Sequence, residues 1–302
     1  MPGINDKKVT AIFYAFIAAV FYALSSPASK LLLAHVSPTM MAAFLYLGAG
    51  VGIGLLSLAG RDRAGKPERL SKPDMPYVVG MVLLDIAAPI LMMFGLLCTN
   101  ASNAALLGNF EIVATAVIAL LIFRERVSRR LWLGIVFITL SSILLSCEDL
   151  SGLRFSAGSL LVLLATVCWG FENNCTRKIS SKSTFQIVFI KGIFSGSGSL
   201  ILALIAGERF PALRYIAFTM LLGFVAYGLS IFFYIRAQSV IGAAQTSAYY
   251  AVAPFTGALF SFILLHEALT KNYLLALAIM AAGSVFVVID TLLPRDARAA
   301  RS

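Results

Sequence analysis

Four ionisable side chains stand inside long apolar stretches of this chain: Asp85, Glu111, Glu172 and Lys191. A charge at the centre of a bilayer costs ~2.5–3.5 kcal/mol even by the most lenient insertion measure, so such residues turn toward a bundle interior. There a carboxylate can hold an amine, a proton or a neighbouring donor. Glu172 shares a helix face with Trp169 and Thr176, and Asn173 and Asn174 adjoin it. An aromatic ring beside a carboxylate suits an ammonium group; pairing of Glu172 with Arg177 or Lys178 is the structural alternative. Asp85 lies four residues before Pro89, whose missing N–H frees a carbonyl and permits a kink. Asp85 either binds a cation or proton or caps that opened backbone. Lys191 either neutralises a substrate carboxylate, pairs with an acid across the bundle, or snorkels to the surface. For Lys30, nearer a helix end, snorkelling is the expected reading.

Glu111 belongs to a small, polar stripe with Ala104, Gly108, Thr115 and Ala119, opposite a lipid-like stripe of Leu106, Phe110, Val113, Val117 and Leu120. It is therefore expected to line or support a cavity, or else to act as packing glue between helices. Tyr46, Tyr249, Tyr250 and Tyr227 are aromatic hydroxyls within apolar runs. Tyr249 and Tyr250 precede Pro254 and are the more credible cavity-lining pair, since tyrosines at helix ends serve as interfacial anchors. The candidate substrate-binding set is Asp85, Glu111, Trp169, Glu172, Lys191, Tyr249, Tyr250 and Tyr46.

The elements that must position these groups are membrane helices. Of 302 residues, 60% are hydrophobic and 13% charged, with mean hydropathy +0.90. A soluble domain has roughly 45–50% and 25%, respectively. A membrane span takes about 20 residues, and ten apolar runs are readable. They are Val9–Ala34, Pro38–Ala59, Met75–Leu97, Ser102–Phe123, Leu131–Cys147, Ser156–Thr176, Thr184–Ala206, Tyr215–Ile235, Ala243–Leu265 and Tyr273–Leu293.

The net charge of +10 fits loops that obey the positive-inside rule better than a nucleic-acid partner. Of 24 Lys and Arg, eighteen fall on one set of connecting segments, while only Arg154, Arg209, Arg214 and Lys271 fall on the other. This predicts a plasma-membrane protein with both termini cytoplasmic. No CxxC or Cys/His cluster points to a metal, and no GxxxxGK[ST] loop points to ATP. No cofactor is expected. Cys98 and Cys147 both fall near the predicted outer surface.

The chain is duplicated. Phe123–Ser146 aligns with Leu265–Val288 at an offset of 142, pairing Glu125 with Glu267. Tyr22–Lys30 aligns with Trp169–Lys178, pairing Tyr22 with Trp169 and Ala23 with Gly170. Gly48–Gly54 sets against Gly192–Ser199 and makes Tyr46 the mate of Lys191. With five spans per half, the second copy starts from the opposite side, so the repeats are inverted, as in many secondary transporters. The expected fold is an all-α integral membrane protein of ten transmembrane helices in two inverted five-helix repeats, residues 1–150 and 151–302.

Ten helices in two halves, each opening on an aromatic-plus-small pair (Tyr22-Ala23, Trp169-Gly170) and carrying an acid after its fourth span (Glu125, Glu267), resemble the drug/metabolite transporter superfamily with EamA-type repeats. Tyr22-Ala23 departs from the family's Trp-Gly. The resemblance implies a transporter of small metabolites, often an amino-acid exporter, with choline-like cations as the alternative substrate. The implied partners are a small-molecule substrate, membrane lipids and coupling protons as candidates, with no nucleic acid. An intramembrane lipid-modifying enzyme is the rival class; two isolated histidines and no HExxH or Ser/His/Asp arrangement argue against it. Gly48, Gly50, Gly52 and Gly54, with Gly192 and Gly196, provide close helix contacts, either static or sliding. Ser25-Ser26-Pro27 is a candidate hinge.

Overall fold

The fold is taken from a computed structural model that describes residues 4–59, 68–123, 128–149, 154–179, 182–268 and 270–292. The first half comprises α1 (Ile4–Ala23), α2 (Ser25–Leu32), α3 (Pro38–Ala59), α4 (Met75–Cys98), α5 (Ala101–Leu107), α6 (Phe110–Phe123) and α7 (Arg129–Ser146). A short antiparallel ribbon, β1 (Cys147–Asp149) with β2 (Arg154–Phe155), leads into the second half. That half comprises α8 (Ala157–Ile179), α9 (Thr184–Ile205), α10 (Leu213–Gly223), α11 (Ser230–Tyr250), α12 (Ala253–Leu265) and α13 (Lys271–Leu292), with a π-helical stretch, Phe224–Leu229, joining α10 to α11. Eight segments among the described residues are long and apolar enough to cross a membrane. The polar-centred α8 and the shorter α12 complete the ten passes.

The sequence pattern places a turn between the eighth and ninth spans at 236–242, yet Ser230–Tyr250 is helical throughout. Straight, those residues would reach about 30 Å. Instead the Tyr250 hydroxyl lies 3.2 Å from Ser230 Oγ, and the Tyr234 and Tyr250 rings sit 5.1 Å apart. The stretch therefore doubles back, and the two passes are the arms of one tightly folded helical element. The fourth and ninth passes are interrupted at equivalent places, Gly108–Asn109 between α5 and α6 and Ala251–Val252 between α11 and α12.

Pairing of the helices follows an inverted two-fold relation. α3 lies on α9 and α7 on α13, each helix against its own repeat mate; α5 of the fourth pass lies on α12 of the ninth, and α1 packs on α11 as α8 packs on α4. Individual contacts repeat the relation. A β-carbon added to Gly170 would meet Thr115 N at 2.9 Å, and one added to Gly257 would meet Ala23 O at 3.2 Å, the mated pair. Ser141 Oγ donates to Ala276 O at 2.6 Å; at the mated positions a β-carbon on Gly134 would come within 3.1 Å of Gly283 O. On the α3–α9 seam a β-carbon on Gly192 would lie 2.4 Å from Gly50 Cα, so glycine is required for backbone-to-backbone contact.

Large apolar side chains such as Leu58, Leu121, Ile205 and Leu213 cover the outside. The lipid-like stripe expected on the fourth pass is corrected: Leu106 and Val113 are buried. α12 and α8 cover this pass from two sides, so both of its stripes are buried or half-buried.

Both ends of the bundle are tied by polar groups. At the end carrying few basic residues, Glu208 accepts from Ser37 Oγ (2.6 Å) and Met40 N (2.8 Å), capping α3 from the other repeat. Glu267 accepts from Ala101 N (2.7 Å) and Ser102 N (2.9 Å), capping α5. Lys30 does not snorkel; its ammonium donates to Leu96 O and to Thr99 O, the carbonyls that end α4. At the basic end Lys182 meets Glu68 at 2.9 Å, and Leu70 N donates to Gln186 Oε1. Cys98 is a free thiol; the Cys147 side chain and Glu125 lie outside the described residues.

Candidate functional site

The buried charges converge where α3, α4, α8 and α9 meet. Asp85, on α4, is fully buried. Tyr46 of α3 donates its hydroxyl to Asp85 Oδ1 at 2.9 Å, and Lys191 Nζ of α9 lies 3.2 Å from Oδ2. Repeat mates thus hold the two oxygens of one carboxylate. Lys191 also reaches Glu172 Oε1 of α8 at 3.0 Å, and Thr176 Oγ1 donates to the same oxygen. Trp169 Nε1 points at the Tyr46 hydroxyl from 3.4 Å. Among the alternatives for Lys191, pairing across the bundle is the one observed. The Asp85 carboxylate is occupied by Tyr46 and Lys191 rather than by the backbone opened at Pro89.

Local sequence explains why these groups fit in a membrane interior. Gly170 lets α8 approach α6 closely. Gly80 on α4 faces Cys175 of α8, where a β-carbon would stand 3.2 Å from Sγ. The close approach excludes lipid and leaves the ionic groups to pair with each other and with the Tyr46 and Thr176 hydroxyls. An ion pair in such surroundings persists when its remaining hydrogen-bonding capacity is also met. Glu172 has two donors on one oxygen, whereas Asp85 Oδ2 has the nearby ammonium but no aligned hydrogen bond.

Glu111 forms the second part of the site. Asn173 Nδ2, one residue from Glu172, donates to Glu111 Oε1 at 2.5 Å and reaches Thr115 Oγ1 at 3.4 Å. Asn174 Nδ2 donates to Thr115 O (3.2 Å) and Gly170 O (2.8 Å), fixing α8 to α6. Glu111 and Thr115 therefore face inward, as their stripe predicts. The hydroxyls of Tyr22, Tyr227 and Tyr250 lie within electrostatic reach of Glu111. Their rings form a wall: Tyr22 is 6.0 Å from Tyr227 and 5.9 Å from Tyr250, and Tyr227 is 5.5 Å from Tyr46.

Tyr46, Asp85, Trp169, Glu172 and Lys191 are thus one connected group, with Glu111 and Tyr250 beside it. Tyr249 turns instead to Phe16, an exposed residue of α1, at 5.4 Å between rings. Several residues outside the predicted set join the site, Thr176 and Tyr22 among them. Asn173 ties Glu111, Ser25 Oγ lies 2.9 Å from the Tyr227 hydroxyl, and Tyr227 links the two aromatic groups. Tyr227 stands in the π-helical stretch, a distortion that re-aims side chains and recurs at functional sites. Periodicity at 3.6 residues does not register such a stretch, whereas Asn173 was visible as an amide next to an intramembrane acid.

Inverted five-helix repeats around buried ionic and aromatic groups define an integral membrane protein of the transporter class. The chain belongs to the EamA-like transporter family, within the drug/metabolite transporter superfamily; the family profile matches residues 9–147 and 156–289. It is 28% identical over 284 residues to an uncharacterized transporter of Methanothermobacter thermautotrophicus, covering 88% of this chain and 82% of that one. It is 24% identical over 243 residues to the uncharacterized transporter YyaM of Bacillus subtilis, covering 78% and 79%. A crystal structure spanning 97% of this chain and 99% of its own shares the fold, with TM-score 0.66 at 16% identity.

Proposed function

We propose that the protein is a secondary transporter that moves small, polar, amine-bearing metabolites by alternating access, with residues 1–150 and 151–302 rocking against each other. Amino acids or related zwitterions, carried outward across the plasma membrane, are the first substrate class, and both termini are cytoplasmic. The observation that carries this reading is the buried ionic group assembled from both repeats, Asp85 from the first and Glu172 and Lys191 from the second. Burying these charges costs several kcal/mol by ordinary membrane energetics, an expense that a purely structural bundle avoids by using apolar residues.

A choline-like cation is the second reading, and one observation favours it. The Lys191 ammonium is engaged by two carboxylates, so its charge is already matched before any substrate carboxylate arrives. Glu111 has a neutral amide partner and a wall of tyrosine rings within reach, a setting that suits an organic ammonium. A counterflow screen in liposomes, with amino acids, quaternary amines and nucleosides as labelled probes, separates these classes. Exchange of an amino acid that choline fails to inhibit supports the zwitterion; inhibition in the reverse sense supports the cation. Lipid turnover by the purified protein without exchange of any probe would instead establish the rival, intramembrane catalysis.

A further inference from the structure

Resting on that transporter reading, the geometry points to Asp85 as the carboxyl that takes up the coupling proton, with Lys191 as a latch that the proton releases. Two acids share one ammonium at 3.2 and 3.0 Å, so with all three ionised the group carries a net negative charge inside the membrane. One added proton makes it neutral.

The two carboxylates are not equivalent receivers. Glu172 lies in the same repeat as Lys191 and takes a further hydrogen bond from Thr176, one turn along α8. Asp85 lies in the other repeat, and its Oδ2 has no aligned donor. A proton placed on Oδ2 leaves Oδ1 as the carbonyl oxygen, to which Tyr46 continues to donate. Lys191 then keeps its full pairing with Glu172 and lets go of α4. Removing the proton restores the bond between α4 and α9, which joins the two repeats. The proton thus changes a contact between repeats while every heavy-atom bond stays intact.

The groups facing Asp85 are accounted for on each packed element. They are Tyr46 on α3, Glu172 on α8 with Cys175 farther along beside Gly80, Lys191 on α9, and Tyr227 in the π-helical stretch within electrostatic reach. Lys30, which holds the end of α4, and Asp74, which precedes its start, attach to the helix ends. Glu111 is bound through Asn173 and lies within electrostatic reach of Glu172 and Lys191, with no ion pair to Lys191 among the described contacts.

The test uses the full-length protein in lipid nanodiscs, followed by infrared difference spectroscopy during a pH titration, and needs no substrate. A neutral-carboxyl C=O band that shifts in D2O is expected to titrate in the wild type. It is expected to disappear in Asp85→Asn and to persist in Glu111→Gln. Tyr46→Phe, which preserves shape, is expected to move the band to higher wavenumber by removing the donor to Oδ1. This second variant keeps the assignment testable where Asp85→Asn does not fold. A band lost in Glu111→Gln, one unmoved by Tyr46→Phe, or no titrating band at all overturns the assignment.

In proteoliposomes with labelled alanine and choline as probes, a pH gradient is expected to drive accumulation in the wild type, and Asp85→Asn is expected to abolish that accumulation. Gradient-driven accumulation that persists in this variant overturns the coupling role. Absence of exchange in the wild type counts against the transporter reading alone, because the infrared assignment is independent of it.

Discussion

Two junctions between the repeats meet on α3 and α9, and they are built on opposite principles. At the glycine seam both repeats contribute the same residue, and Gly50 and Gly192 bring the backbones into contact. At the ionic centre, the mates differ: Tyr46 donates a phenol hydroxyl and Lys191 an ammonium to the same aspartate. Sameness serves packing, because an inverted pair of helices crosses most closely where both surfaces are smallest. Difference serves chemistry, because two like charges converging in hydrocarbon would repel. The seam is also held at its ends, by Glu208 on the start of α3 and by the Glu68–Lys182 pair beside the start of α9. Of the two readings of the glycine runs, these fixed ends favour static packing along α3–α9.

The largest expected effect comes from breaking the seam. Gly192→Leu drives a side chain into the Gly50 backbone, and no folded protein is expected by size-exclusion chromatography after detergent extraction. Recovery of a monodisperse peak would show that the seam is looser than described. Next is Lys191→Met, which leaves Asp85 and Glu172 without their cation. A loss of about 3–5 kcal/mol is expected by thermal or denaturant unfolding. Combining it with Asp85→Asn and Glu172→Gln is expected to restore most of that stability while substrate exchange stays absent. This combination separates the cost of an unmatched charge from the value of the site.

A smaller change is expected from Tyr227→Phe, which removes the bond to Ser25 and costs about 0.5–1.5 kcal/mol in the same unfolding assay. Asp74, outside both junctions and half-buried at the head of α4, sets the lower limit. The Ser71 hydroxyl and backbone N–H donate to its carboxylate and hold its pKa below the ordinary value. The folded turn is therefore favoured above the unfolded carboxyl pKa, and that advantage disappears as pH falls through the depressed folded value. Hydrogen exchange at the Ser71 amide, corrected for intrinsic rate, is expected to lose protection on acidification in the wild type. In Asp74→Asn it is expected to be insensitive over the same range.

Much of this arrangement was legible in the residues alone. Charges in apolar runs are costly enough to announce themselves, so Asp85, Glu111, Glu172 and Lys191 stood out, and internal matches fixed which helices are mates. Partners were not legible. Tyr46 and Asp85 lie 39 residues apart, Trp169 and Tyr46 lie 123 apart, and no local pattern links them. Glu208 went unnoticed for the same reason, because the helix it caps begins some 170 positions earlier. The face assigned to Leu106 and Val113 failed because a periodicity count assumes that one side of the helix meets lipid, whereas α12 and α8 cover this pass from two sides. Tyr249 and Tyr250 are neighbours in sequence, but successive helical positions point about 100° apart, and only Tyr250 joins the aromatic wall.

The convergence of a phenol and an ammonium on Asp85 also bears on ancestry. Two identical half-length polypeptides assembling head to tail would offer that carboxylate either a pair of tyrosines or a pair of lysines. Joining both halves in one gene lets each position mutate without its twin. A one-sided centre of this kind is closed to an identical pair and open once the two halves differ.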